Sequence, residues 1–296
     1  MIASIQEYLR QLRQELAGCD RATVQDALAD AEEYLSNALN GAREAQPAIP
    51  EQDAVSAIIE KYGLPEEVAA SYRDAESRMR PFFSRVVSGN HRSWFVRFFG
   101  VVADLRAWGA LFYMIFSLAT GIIYFTWAIT GISVSLGLLV LVIGIPLAGL
   151  FMLSVRGLAL VEGRIVEGLL GEQMPRRPLF SARSTGLWVR FKSLFTDRYT
   201  WFSLAYMIIH MPLGIISFSV FVPLVFTSLY LMARPIMELA YDIPLFSSYY
   251  VGYYTPGWLM PVAVVGGILL FVLTMHLVKV FGRLRAALAK AMLVRE

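Results

Sequence analysis

The sequence predicts an all-α membrane protein: a small cytoplasmic domain of helical hairpins, then a four-helix transmembrane bundle made of two parallel two-helix repeats. Three observations predict it. The 296 residues are 57% hydrophobic and 17% charged, with a positive mean hydropathy, outside the ordinary soluble range. Charge is segregated, because residues 1–79 hold 15 acidic and 7 basic side chains, a net of −8, whereas residues 80–296 hold 8 acidic and 19 basic, a net of +11. Finally, VRFFGVVADLRAWGALFYMI at 96–115 is written again as VRFKSLFTDRYTWFSLAYMI at 189–208.

The acidic part, 1–79, reads as short amphipathic helices. Ser4 and Glu7 form a capping box, and Ile5, Leu9, Leu12 and Leu16 recur at helical spacing until Gly18. A second helix begins after Asp20, carries Val24, Leu28, Ala31 and Leu35 on one face, and ends by Gly41. A third stripe, Ala54, Val55, Ile58, Ile59 and Tyr62, closes at Gly63. Pro65 suits the first turn of a fourth helix, and Glu66 and Glu67 favour its positive end. Four such helices pack as two hairpins around a small core. Their net negative charge disfavours direct binding of nucleic acid, since phosphate contacts need cations.

IQEYLRQLRQEL, AEEYLSNAL and AIIEKYGLPEEVAASY give residues 3–75 a resemblance to the HAAS signalling-associated domain, a module of paired helical hairpins fused to bacterial membrane segments. Its most specific part is the turn of Gly63, Pro65, Glu66, Glu67 and Ala69. The resemblance implies signalling by protein contact, with a PadR-like transcriptional regulator as the expected cytoplasmic partner and Gly63, Pro65, Glu66 and Glu67 as the candidate partner turn.

Beyond a basic connector at 80–106, residues 107–296 are long apolar runs. No charged residue occurs from Trp108 to Val155 or from Trp201 to Ala233, and a third apolar run goes from Tyr249 to Val278. A crossing needs about 20 apolar residues, so the expected spans are 108–130 and 133–155, turning at Thr130-Gly131, then 201–233, with Pro212 and Pro223 as candidate bends, and 257–279. Lys and Arg cluster in 80–106, 156–198 and 279–295, leaving Arg234 alone. Positive charge marks the cytoplasmic side. The expectation is a multi-pass protein of a prokaryotic plasma membrane with both termini cytoplasmic. The N-terminus lacks an apolar core after a basic start, so no signal peptide is expected. The single cysteine, Cys19, fits a reducing compartment.

The repeat explains more. At an offset of 93, Asp104 falls on Asp197, Trp108 on Trp201 and Gly121 on Gly214, and at an offset of 123 Gly144 falls on Gly267 and Arg156 on Lys279. Apolar residues in register would follow from composition, but Asp, Trp and Gly in register argue for duplication. Each unit should leave the cytoplasm and return, so the copies are expected to be parallel about an axis along the membrane normal. Both should finish in inner amphipathic helices, 156–171 and 280–294, suited to the inner leaflet or a partner helix. Glycines 144 to 149 and 266–267 permit close helix contact within a subunit or in a homo-oligomer.

The difference between the offsets places an insertion in the second copy. Most of it is an outer loop, Arg234 to Gly257, with Tyr241, Phe246, Tyr249, Tyr250, Tyr253 and Tyr254 beside Glu238 and Asp242. These are candidate ligand-binding residues for an apolar or cationic molecule. The same aromatics also suit an interfacial belt or a lid. His210, deep in the third span, is a candidate ligand-binding residue by its polarity at that depth, although a structural hydrogen bond, to a neighbouring helix or to the carbonyl that Pro212 leaves free, is the weightier account. Asp104 and Asp197 read as helix caps, Trp108 and Trp201 as interface anchors. A sharper expectation pairs Arg97 with Asp197 and Arg190 with Asp104 as an inner coupling collar.

Asp197-x-x-x-Trp201 leading into Leu204-Ala205-Tyr206, then Met211-Pro212-Leu213-Gly214, give residues 92–288 a resemblance to the sensor domain family found ahead of bacterial and archaeal histidine kinases. No kinase core is seen before Glu296, so output is expected through the N-terminal domain or a separate protein. No phosphate-binding loop, nucleophile elbow or zinc spacing is present, so no enzyme activity, cofactor or metal is expected. The function expected is a non-enzymatic membrane signalling protein that relays an outer-face or lipid signal, and the alternative is a small transporter, lipid carrier or channel.

Overall fold

Ser4 starts the first helix, its hydroxyl accepting the Glu7 amide at 3.2 Å, and α1 runs over Ile5–Glu15. Asp20 caps α2, Arg21–Ala45, by accepting the Ala22 amide at 2.9 Å. α3 spans Glu51–Tyr62 and ends at Gly63, whose φ of +113° lies where a side chain would be strained. Pro65 then opens α4, Pro65–Ser84. The computed structural model describes residues 2, 4–46, 50–84, 98–138, 144–175, 194–244, 246–248 and 251–294.

The four helices bury one core, with Tyr8, Leu12, Leu16, Leu35, Val55 and Ile59 at its centre. Each fully buried leucine contributes about 1.5–3 kcal/mol. Two tyrosines tie helices together through their polar tips. Tyr8 donates to the Gly63 carbonyl at 2.9 Å, and Tyr72 of α4 donates to Asp30 of α2 at 2.5 Å. Burial raises both phenol pKa values, reinforced at Tyr72 by the bond to Asp30.

After a 3-10 turn, Gly100–Ala103, come four long apolar helices: α5 Leu105–Leu138, α6 Gly144–Leu170, α7 Arg198–Tyr241 and α8 Leu259–Leu293. Each is long and apolar enough to cross a membrane. Between α7 and α8 a hairpin pairs β1, Phe246–Ser248, with β2, Val251–Tyr253. The architecture is all-α, a helical domain followed by a bundle of apolar helices. α7 has 44 residues, about 66 Å at 1.5 Å per residue, roughly twice the ~30 Å hydrocarbon thickness. Pro212, Pro223 and Pro235 all lie inside it.

Three expectations are corrected. The second helix does not end by Gly41 but continues through it to Ala45. Thr130-Gly131 does not turn, because α5 continues to Leu138. A Cβ on Gly131 would overlap the Phe151 ring, so this glycine serves close helix packing; the connection to α6 falls in 139–143, outside the described residues. The inner amphipathic segments are also not separate helices but the continuous ends of α6 and α8. Of their aliphatic stripe, Val161 and Leu284 are 51% and 60% exposed and Leu158, Ile165, Phe281 and Leu288 half-buried, while the neighbouring face of α6, Val155, Ala159, Glu162 and Val166, is buried. Lipid is as apolar as leucine, so small residues rather than leucines fill helix contacts.

The chain forms two compact units, one of Met1–Ser88, Thr126–Ile208 and Ala287–Glu296, the other of Gly89–Phe125 and Ile209–Ala286. Within the second, α5 and α7 touch backbone to backbone. A Cβ on Gly121 would lie 2.9 Å from the Met211 Cα and 3.3 Å from the His210 oxygen, and one on Gly214 would lie 2.6 Å from the Ser117 oxygen and 3.2 Å from the Leu118 Cα. Residues 117 and 118 are the repeat equivalents of 210 and 211. The contact is reciprocal, as a duplicated helix meeting its own copy would make it.

Gly214→Ala and Gly121→Ala should each cost about 1–3 kcal/mol through overpacking, whereas Gly137→Ala, with open space at its Cβ, should stay within about 0.5 kcal/mol. Denaturation of the detergent-solubilised chain measures the difference.

Candidate functional site

The glycine crossing brings His210 against α5. Its Nε2 lies 3.0 Å from the Thr120 hydroxyl, and its Nδ1 lies 3.4 Å from Arg285 Nη2. A guanidinium can only donate, so Nδ1 is the acceptor and the ring proton sits on Nε2, directed at Thr120 Oγ1. Thr120 in turn reaches the Phe116 and Ser117 carbonyls, each at 3.4 Å. Tyr113 meets the imidazole edge-on at 6.3 Å, Tyr124 lies 5.6 Å away, and the Arg285 guanidinium stands 5.6 Å from the Tyr113 centroid, within cation–π range. Arg285 is 4% exposed and His210 1%. Among the described residues the Arg285 Nη1 is buried without a hydrogen-bond partner. Such a cluster can present positive charge and directed donors in a dry setting.

The first unit holds a counterpart of opposite sign. Tyr206 donates to Glu162 Oε1 at 3.0 Å, and Glu162 is 1% exposed. Tyr206 is the repeat equivalent of Tyr113, and Glu162 of Arg285 at the offset of 123. Sequence reasoning passed over both charged residues as parts of solvated faces. The signal that could have found them was the second offset itself, which lays a carboxylate over a guanidinium.

At the helix starts the two copies agree closely. Asp104 Oδ1 accepts the Arg106 amide at 3.0 Å and Asp197 Oδ1 the Tyr199 amide at 3.2 Å, so both aspartates cap. The Trp108 indole donates to the Val102 carbonyl at 2.7 Å and that of Trp201 to Phe195 at 2.8 Å, with both rings about half exposed. Asp104 pairs with Lys279 at 2.6 Å, and Asp197 with Arg156 at 2.8 Å; Arg156 also donates to Thr200 at 2.9 Å. Lys279 and Arg156 are themselves equivalents, so each aspartate takes its cation from the other copy. Arg97 and Arg190, the partners expected from sequence, lie outside the described residues. Burial pushes the Asp104 carboxyl up, but the hydrogen bond from Lys279 and that from the Arg106 amide outweigh it and leave its pKa below 3.8.

The loop after α7 is organised by a residue the sequence reading did not select. The helix continues through Arg234, which is 1% exposed and donates to Glu238 at 2.6 Å, Thr255 at 3.0 Å and the Ile243 carbonyl at 3.1 Å. Glu238 completes the ring by accepting the Thr255 amide at 2.7 Å. Asp242 sits at φ +52°, and its hydrogen bond from Tyr254 raises that phenol's pKa. Tyr241, Tyr253 and Tyr254 are 72%, 57% and 49% exposed. Phe246 opens β1, and Tyr249 and Tyr250 lie outside the described residues. The structure therefore joins Glu238 to Arg234 and Asp242 to Tyr254, and leaves Tyr241 at the surface.

In the N-terminal domain, Gly63 closes α3 and Glu67 accepts the Leu64 amide at 3.1 Å, fixing the turn expected to meet a partner, while Glu66 points outward. Among the described residues no group of three His, Cys, Asp or Glu is placed to hold a metal ion.

A helical domain followed by four membrane-length apolar helices, with polar side chains buried among them, defines a multi-pass membrane protein. The model of the sensor family matches residues 113–293, more than half of the chain, and the chain belongs to that family. The HAAS model matches residues 7–71. Both families are signalling domains without catalytic function. No curated protein and no solved structure matches the chain.

Truncating Arg234 to Met should destabilise the chain by about 3–5 kcal/mol, because Glu238 would be left as a buried unpaired charge, and Glu238→Gln together with it should restore part of the loss. The Asp104 contribution carries its own sign: a carboxyl with a depressed folded pKa stabilises above its unfolded value, and the benefit fades as pH falls through the folded one. The stability gap between wild type and Asp104→Asn should be constant above about pH 5 and close below about pH 4.

Proposed function

We propose that this chain is a non-enzymatic membrane sensor that passes a change among its apolar helices to a cytoplasmic protein through the N-terminal domain. The observation that carries this reading is an ion pair within the first unit: Lys290, near the end of α8, binds the Asp20 carboxylate at 2.5 Å. Asp20 caps α2, and its amide is held by Glu76 of α4 at 3.1 Å, so a movement of α8 acts on the two helices that organise the domain. Beside the pair, a cavity of about 290 Å³ separates Asp26 and Tyr72 from Glu167, Gln173 and Met174 at the end of α6. The contact is loosely filled, and its ion pair, with side chains 23% and 21% exposed, is still reached by water, so a modest signal can make and break it.

The basic flanks of the spans support a cytoplasmic position for both termini in a prokaryotic plasma membrane, and the HAAS domain supports a PadR-like transcriptional regulator as the partner. The loop of Tyr241, Tyr253 and Tyr254 and the cluster around His210 are the input side of this reading, and the Asp104–Lys279 and Asp197–Arg156 pairs, one in each unit, are its candidate coupling residues. A transporter or lipid carrier is the second reading, favoured by the buried charges of Glu162 and Arg285 in membrane-length helices.

Lys290→Asp should raise amide exchange in the first turns of α2 and alter retention of a PadR-like regulator by the membrane-embedded chain, while Lys290→Arg, which keeps the cation, should leave both as in the wild type. Retention unchanged by Lys290→Asp would sink the signalling reading, and substrate flux in proteoliposomes would replace it with transport.

A further inference from the structure

The turn between α3 and α4 borders a groove of about 760 Å³, within the range of about 300–1,000 Å³ typical of binding pockets. Its floor is apolar, from Ile2, Ile59 and Leu64, and Asp53, Glu60 and Glu67 stand around it. Leu64 is 54% exposed at the tip of a turn. A lone exposed leucine needs no explanation, but this one is held in place from three directions. Gly63 takes a φ open only to glycine at low cost, the Tyr8 hydroxyl holds the Gly63 carbonyl, and the Glu67 carboxylate holds the Leu64 amide. The groove is therefore preorganised, and ordering it on binding costs little.

The charges around it are unspent. Among the described residues, neither the Asp53 nor the Glu60 carboxylate has a salt-bridge partner. The surrounding residues 1–79 carry a net charge of −8, which steers cations toward this end and repels an anionic lipid surface. An apolar strip between carboxylates fits one kind of ligand: a helix with aliphatic residues on one face and Lys or Arg flanking them.

We propose that the α3–α4 groove docks a basic amphipathic helix of a cytoplasmic protein. Its aliphatic residues lie over Ile59 and Leu64, and its cations meet Asp53 and Glu60. The purpose of such docking rests on the signalling reading above; its chemistry does not.

The test uses the full chain in nanodiscs of neutral lipid and a fluorescent peptide of about 18 residues, long enough to form a helix when bound, with leucines at helical spacing and lysines elsewhere. A peptide of the same composition in scrambled order and one with Glu replacing Lys are the controls. The amphipathic basic peptide should bind, and its affinity should fall as salt rises from about 50 to about 300 mM. Leu64→Asp, and separately Asp53→Lys with Glu60→Lys, should each weaken it by about tenfold or more, while Glu44→Lys, at the end of α2 and outside the groove, should weaken it by only about two- to threefold through bulk charge. All four positions are exposed, so folding is checked by an unchanged melting temperature. Equal binding of the scrambled or acidic peptide, or full binding by the groove variants, would overturn the proposal. So would dimerisation of the chain abolished by Leu64→Asp, which would make a second copy the occupant. If the groove fails while Lys290→Asp still alters regulator retention, the signalling reading stands without it; the reverse pattern leaves the groove and removes that reading.

Discussion

The close approach of α5 and α7 at Gly121 and Gly214 is the contact on which the polar interior depends. Helices in lipid gain little from burying leucine against leucine, and attraction comes from packing at short range and from hydrogen bonds. Where two backbones touch, a threonine on one helix reaches a histidine on the other, and the Thr120–His210 bond at 3.0 Å follows from that separation. A methyl group at either glycine would meet main-chain atoms, which cannot swing aside as a side-chain tip can. The same crossing lets Tyr113, Tyr124 and Arg285 close around the imidazole.

Duplication supplied the framework and divergence supplied the chemistry. The capping aspartates, the folded-back indoles and the aspartate–cation pairs are nearly the same in both copies. The buried position on the helix that follows is not. It holds a carboxylate under Tyr206 in one copy and a guanidinium against Tyr113 in the other. A duplicated scaffold that keeps its geometry while inverting one buried charge has made two unlike environments from one plan, which a symmetric sensor of a single cue would not require.

Much of this was legible in the residues. The capping box at Ser4, the stop at Gly63 and the apolar stripes of the first four helices depend on local spacing, and they stand where the pattern puts them. The four long apolar helices follow from uncharged runs that leave little choice. Gly131 misled because glycine marks a turn in water and a close contact in lipid, and a single sequence does not say which helix lies opposite. The ends of α6 and α8 misled for a related reason. In water a leucine stripe turns inward, but here the positions turned inward carry Val155, Ala159 and Val166 in α6 and Ala286 and Ala289 in α8, with Glu162 and Arg285 among them. The ion pairs of Asp104 and Asp197 join residues more than 40 positions apart, so only the repeat, and not the spacing, could have suggested them. Arg234 looked like a lone loop cation because, beyond Glu238 one helical turn away, its acceptors Thr255 and Ile243 are brought in by a fold-back that no local pattern encodes.

That fold-back has a consequence for proteolysis. Enzymes that cut after glutamate take up an extended strand and insert the side chain into a cationic pocket, whereas Glu238 is helical with its carboxylate already held by Arg234 and the Thr255 amide. A glutamate-specific protease should therefore spare the bond between Glu238 and Leu239 for as long as this end of the molecule is folded, and cleavage there would register the melting of the α7 terminus and its hairpin rather than mere surface access.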